Sequence, residues 1–484
     1  MKSRLSQLFG IDLRTLAWLR IGLAFLVLLD LGLRARDLSA HYTDQGILPR
    51  SALITDFLTR WSWSFHLFNG TAAFQAMLFL VAATFALAML VGYKTRIATV
   101  TTWVLLCSLQ TRNPAICPAV DNALRLFLFW SMFMPLGAVW SVDQLLHPKR
   151  HRNPYLSVAG VGFMAQLAFI YIFTVIQKSD PAWREDFTAI YYALSLDDMA
   201  TSIGLALRSY PGLMKALTVI TISLEAAAPI LVFTPFYTAW VRMVVILAMM
   251  MLHLGMGLAL TIGLFPFVMW VGWWVFIPGV FWDKIGVTTG SSPEGPHLAD
   301  PATTFSRARA VAGQSITAAA LVYILLYNLR VSDPQNYWAV VSRPANAFGT
   351  VLNLKQNWGV FAPRPHLGDG WYVMPGELVN GETVDLFRGG APVRFAKPDR
   401  VTDDFPNDRW RKYVLHLRDP GSKQHLPYYL GYLCQRWNEK HLGTNQLVRS
   451  VSVYFMEEFT LPDGKTRPIE KHFLARHNCL EDDA

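Results

Sequence analysis

Up to about residue 330 the apolar residues of this chain gather in long blocks separated by short polar loops. A helix needs roughly 20 consecutive apolar residues to cross a bilayer. The blocks predict helices over residues 15–33, 72–92, 97–109, 122–140, 156–178, 213–233, 239–263, 265–281 and 314–328, about nine in all, the third and ninth being the shortest. Gln110-Thr111-Arg112-Asn113-Pro114 is a breaker, and residues 290–296 read as a Gly/Ser/Pro linker. A polar, aromatic loop fills residues 34–69. The stretch 178–211 is polar and acidic, with helical spacing at Ile190, Ala193 and Leu194. Arg20 and Asp30 interrupt the first block and no small-residue cleavage site follows it, so it is expected to stay as a membrane helix.

Beyond residue 330 the period changes. Residues 413–417 and 451–455 alternate apolar and polar positions, as strands do. Turn signals recur at residues 368–370, 380–381, 420–421 and 462–464. Trp358, Phe361, Trp371, Trp410 and Trp437 supply a small core or a binding surface. The expected fold is a polytopic α-helical membrane protein: a transmembrane domain over 1–329 and a C-terminal β-rich extramembrane domain over 330–484. No internal repeat is visible, which disfavours a transporter built from repeats.

Composition agrees with the pattern. Of 484 residues, 53% are hydrophobic and 16% charged, against about 25% charged in soluble domains. The net charge of +9 does not imply nucleic acid. Much of the excess lies in short loops, and no nucleic-acid module pattern is present. Lys2 and Arg4, Lys94 and Arg96, Lys149, Arg150 and Arg152, Arg242, then Lys284, Arg307 and Arg309 fall on alternate loops. The positive-inside rule makes that side, with the N-terminus, cytoplasmic. An odd number of spans puts the region from Arg330 onward, and the segment carrying Lys178, on the outer face of a bacterial inner membrane. Cys107, Cys117, Cys434 and Cys479 form no C-x-x-C pair, so structural zinc is not expected. Cys434 and Cys479 are either a disulfide in an oxidising compartment or two free thiols.

Ionisable residues inside membrane helices are costly and mark function or buried pairing. Arg20, Asp30, Arg125, Glu225 and His253 lie within the blocks, with Asp121 and Lys178 near helix ends. Arg20 and Asp30 stand about 15 Å apart along a helix, so each needs a partner elsewhere. Lys178 has no acid one turn before it. It is either an anchor that snorkels to the interface or a desolvated base. His253, deep in an apolar helix, is either a hydrogen-bonded structural residue or part of a pocket. His472 and His477 read as surface residues, and no metal site is expected.

Lys178-Ser179-Asp180-Pro181-Ala182-Trp183, after Ile170-Tyr171, resembles the helix and turn that carry the catalytic lysine of vitamin K-dependent γ-glutamyl carboxylase. His253 followed by residues 263–269 resembles that family's histidine helix and Gly-x-Phe-Pro turn. Residues 133–137 and 141–143 resemble the end of its fourth helix. Residues 356–363 resemble the outer domain of bacterial relatives, the carboxylase-like HTTM group. The resemblance covers roughly residues 13–328 and that outer stretch. It implies a reduced quinone as cofactor, no metal, Lys178 as base, and an exported peptide or protein as substrate in contact with membrane lipid. It makes His253, Glu225, Asp121, Asn122 and Arg125 pocket candidates. Asp121-Asn122, followed by Arg125, stands where the animal enzyme has an Asn-His pair. The missing histidine bears on whether glutamate carboxylation itself is retained. The alternative is a non-catalytic binding or maturation factor for an exported partner, acting through the C-terminal domain.

Overall fold

The computed structural model describes residues 2–149, 151–288, 304–333, 343–418, 424–462 and 465–480. Nine helices occupy the predicted blocks: α1 (Leu13–Ala35), α2 (Ala72–Val91), α3 (Thr95–Arg112), α4 (Ala119–Ser131), α5 (Val158–Gln177), α6 (Pro211–Leu231), α7 (Thr238–Ala259), α8 (Phe265–Trp273) and α9 (Thr304–Val331). Six of them, α1, α2, α5, α6, α7 and the Val311–Val331 part of α9, are long and apolar enough to cross a membrane. The other three differ for local reasons. α3 carries buried Thr95, Thr99, Thr102, Ser108, Gln110 and Arg112 along its length. α4 stops at Ser131, ahead of Pro135 and Gly137. α8 passes into a tight turn over Trp274–Phe276.

Sequential helices pack side by side from α1 to α8, and α8 returns against α1. α4 and α8 also touch each other across the ring, and α9 lies outside it against α5. Two glycines let the inner helices approach. A β-carbon at Gly162 would come within 2.3 Å of the Trp130 ring, and one at Gly272 within 2.6 Å of Phe127. Small residues serve this purpose where helices meet in lipid. The outward faces stay apolar: Leu80 and Leu87 of α2, Ile220 and Ile230 of α6, and Val244 and Leu247 of α7 are exposed. At one end of the bundle Phe236, Tyr237 and Trp240 stand out from the surface. Lys284 lies 4.6 Å over the Trp240 ring, an aromatic–cation pairing suited to a headgroup region.

The C-terminal region is mixed rather than mainly β. Its antiparallel sheet has β1 (Gly368–Val373), β2 (Pro375–Leu378), β3 (Thr383–Asp385), β4 (Ala391–Pro392), β5 (Val448–Phe459) and β6 (Glu470–Asn478). β5 is central: β6 pairs along one edge, and β1 and β2 share the other. The alternation at 451–455 falls in β5, as expected. Gly381, with φ +87°, turns β2 into β3. The expected turns at 420–421 and 463–464 lie outside the described residues. The expected strand at 413–417 is corrected: it lies in and just after α10 (Asp408–His416). Asn407 caps that helix, accepting from the amides of Arg409 and Trp410. Buried Trp410, Tyr413, Val414 and Leu417 follow helical spacing, and a five-residue window shows only part of that stripe. α11 (Leu426–Lys440) packs on β5. Cys434 of α11 and Cys479 form a disulfide with Cα atoms 5.5 Å apart, within the usual range. Trp358 and Trp371 are core residues.

Asp369 of β1 ties this sheet to the 178–211 segment. Its carboxylate accepts the Asp197 amide proton, while Asp197 and Glu458 both hold Lys397 and Arg411 binds Asp198 at 3.1 Å. Burial, reinforced by the Asp197 carboxylate, pushes the Asp369 carboxyl up to about 7 from its usual 3.8. Below 3.8 the group is neutral in both the folded and unfolded chain. Between 3.8 and about 7 only the unfolded chain ionises, so stability falls as pH rises, by roughly 4 kcal/mol over the whole window. Asp369→Asn should flatten the pH dependence of thermal unfolding across this window. A variant with the parent's slope would refute the assignment.

Candidate functional site

α5 places its functional side chains on one stripe. Leu167, Tyr171, Thr174 and Lys178 recur at helical spacing and are buried. Lys178 closes the helix, and Ser179-Asp180-Pro181 turns the chain, with Asp180 capping the short helix Pro181–Arg184 through the Ala182 amide at 2.9 Å. Arg184 folds back and donates to the carbonyls of Lys178 (2.8 Å) and Val175 (3.1 Å). The turn brings the Trp183 ring to 4.1 Å from Lys178 Nζ.

α6 supplies the counter-charge. Its inward stripe is Met214, Thr218, Thr221, Glu225 and Ala228. Lys178 Nζ donates to Glu225 Oε2 at 2.6 Å, with the two side chains 3% and 6% exposed. Lys178 is therefore neither an anchor reaching solvent nor an amine without a partner. Its acid lies 47 residues away, beyond any search within one helical turn. Pro229, four residues after Glu225 and inside α6, cannot supply the helical donor to the Glu225 carbonyl.

His253 belongs to a different chain of bonds. Its Nδ1 stands 2.7 Å from the Met249 carbonyl and its Nε2 3.2 Å from the Tyr171 hydroxyl. Trp273 Nε1 donates to the same hydroxyl at 2.8 Å. Lys178–Glu225 and Tyr171–His253 are thus two buried polar pairs, each joining α5 to a neighbouring helix. Tyr171 and Lys178 stand two turns apart along α5, about 10 Å, with Thr174 on the turn between them.

The stretch 356–363 forms the roof. Gln356 accepts from Gln166 and from Trp358, each at 2.7 Å. The Trp358 carbonyl accepts from Thr174 (2.9 Å), the Phe361 carbonyl from Trp183 (3.0 Å), and the Pro363 carbonyl from the Asp180 amide (3.4 Å). The C-terminal region thus lies along α5 and covers the Lys178 turn, as the expected shared face requires. The sequence motif in 356–363 was visible, but its contact with this turn was not.

Asp121, Asn122 and Arg125 join neither pair. Asp121 binds Arg34 at 2.8 Å and Arg409 of α10 at 2.9 Å. Asp30 binds the same two arginines at 2.8 and 2.6 Å. Two guanidinium and two carboxylate groups balance there, which answers the question of the Asp30 partner. Arg125 donates to Gln110 (2.6 Å), Asn122 (2.8 Å) and the carbonyls of Asn353 (2.7 Å) and Lys355 (3.0 Å). These three residues therefore fasten the C-terminal region to the bundle. Arg20 donates to the Trp140 carbonyl at 2.6 Å and, more weakly, to that of Leu136 at 3.5 Å. His472 does not stand alone on the surface. β5 and β6 bring Glu457 and Glu470 to 3.1 and 3.6 Å from its Nε2, a partly exposed cluster whose imidazole nitrogen and carboxylate oxygens lie within 4.8 Å of one another.

Comparison with known proteins finds no matching family model, no matching curated protein and no matching solved structure.

Removing one partner of a buried ion pair leaves the other charge uncompensated, at a cost of about 3–5 kcal/mol, whereas replacing both by apolar groups is often neutral. Glu225→Ala should lower the unfolding temperature in detergent sharply, and Lys178→Met with Glu225→Leu should recover most of the loss. Equal destabilisation by the single and double variants would show that the two groups are not coupled.

Proposed function

We propose that this chain is a carboxylase-like HTTM membrane enzyme of a bacterial inner membrane, with the Lys178–Glu225 pair as its proton-handling centre. In this reading α3, α4 and α8 complete a set of nine spans, the N-terminus is cytoplasmic, and the C-terminal domain is periplasmic. The observation that carries the proposal is the position of Lys178 Nζ: buried, 2.6 Å from Glu225 Oε2 and beneath Trp183 and the 356–363 roof.

The residues suit a phenolic hydroxyl group. Before Lys178 can act as a base it must shed a proton, and Glu225 Oε2 is the adjacent acceptor. The amine can then take a proton from an acidic hydroxyl. The ammonium so formed can hold the resulting oxygen anion. Burial strengthens each of these interactions by excluding water. Tyr171, fixed by Trp273 and His253, offers a second hydroxyl two turns back along the same stripe. A bound hydroquinone would supply, with oxygen, the strong base needed to remove a glutamate γ-proton, whose place carbon dioxide would take.

Lys178→Ala and Glu225→Gln should each abolish turnover while helical content and membrane insertion persist. Mass spectrometry of co-expressed exported proteins should detect a carboxyl group added to glutamate only with the intact pair. A folded Lys178→Ala variant with full activity would overturn the proposal. Deleting residues 330–484 is a poorer test of what the C-terminal domain does, because it also strips Arg409 from Asp30 and Asp121 inside the bundle.

A further inference from the structure

A cavity of about 340 Å³ lies in the C-terminal domain and shares no lining residue with the Lys178 site. That volume falls within the range of small-molecule sites, roughly 300–1,000 Å³. One wall is a single face of α11, formed by Tyr429, Tyr432, Leu433, Arg436, Trp437 and Lys440 at helical spacing. The facing wall includes Phe387, Phe405 and Trp410. The face changes character along the helix. Its first turns are aromatic and apolar; its last turns carry Arg436 and Lys440, with His441 stacked on Trp437 at 4.2 Å between ring centres.

Arg436 and Lys440 outnumber the acid on the cavity lining, while Glu439 and Asp37, which also act on Arg436, stand outside that lining. Its acid, Asp404, is already held by Arg388 through contacts of 3.0 and 2.9 Å. Arg436 is steadied by the Tyr432 hydroxyl at 2.8 Å, a neutral partner that leaves the positive charge in place. Cations at the end of a helix also complement its dipole, but that role does not require an aromatic hollow beside them. Gly389, on the cavity lip with φ +65°, has only open space where a β-carbon would stand.

We infer that this cavity binds a small anionic amphiphile, an apolar or aromatic body carrying a carboxylate. The body packs against Trp410, Phe405 and Leu433, and the carboxylate meets Arg436 and Lys440. Such a site is independent of the reaction proposed at Lys178.

The test uses the full chain in nanodiscs of zwitterionic lipid, titrated with 2-naphthoate and with its neutral analogue, 2-naphthalenemethanol, against empty nanodiscs. Saturable binding of the carboxylate is expected, about tenfold or more tighter than that of the alcohol, since a charge-assisted contact contributes on that order. Arg436→Gln with Lys440→Gln should remove this preference and leave the alcohol's affinity unchanged. Leu433→Trp, which fills the cavity, should weaken both ligands, and an unchanged unfolding temperature would show that each variant is folded. Binding no greater than to empty nanodiscs, equal affinity for the two probes, or a carboxylate preference that survives the double substitution would overturn the inference.

Discussion

Lys178 and Glu225 stand 2.6 Å apart where water is excluded, and that contact sets terms for everything around it. A charge without solvent must find its opposite or be neutralised. The two groups come from different helices, so α5 and α6 have to pack with their inward stripes in register. Thr174, one turn before Lys178, bonds to the Trp358 carbonyl, and Trp183, just after it, bonds to the Phe361 carbonyl. The position of the lysine and the position of the roof are therefore fixed together.

The same constraint acts a second time, between the bundle and the C-terminal domain. Asp30 and Asp121 face inward on α1 and α4, with Arg34 as their counter-charge within the bundle. Arg409 reaches in from α10 and completes a balanced set of four charges. Arg125 adds hydrogen bonds to the chain at Asn353 and Lys355. The C-terminal domain is thus bonded to the helices at several places, among them the four-charge cluster, the Arg125 contacts and the Lys178 roof. This explains how residues that looked like one set of pocket candidates separate into a chemical group and a fastening.

Much of this was legible beforehand, for local reasons. Helix positions follow from blocks of apolar residues, and the Lys178 turn follows from Ser179-Asp180-Pro181. β5 was visible because Val451 to Phe455 keeps a strand's period of two. α10 was misjudged because five residues are too few to tell that period from a helical stripe reaching back to Trp410. The lengths of α4 and α8 were also overstated. Hydropathy measures how apolar a stretch is, whereas Pro135, Gly137 and the turn after Trp273 decide where helical hydrogen bonding stops.

Residue order alone sets which segments are apolar enough to cross a membrane and which few charges are placed inside them. These properties depend on residue type and near-neighbour spacing. It did not determine which charge meets which. Lys178 and Glu225 are 47 positions apart, and Arg409 stands 288 positions from Asp121. Only packing brings such groups within hydrogen-bond reach. Lys178, an isolated cation in the sequence, is half of a buried pair in the fold, because α6 turns Glu225 toward it and the C-terminal chain closes over the Lys178 turn.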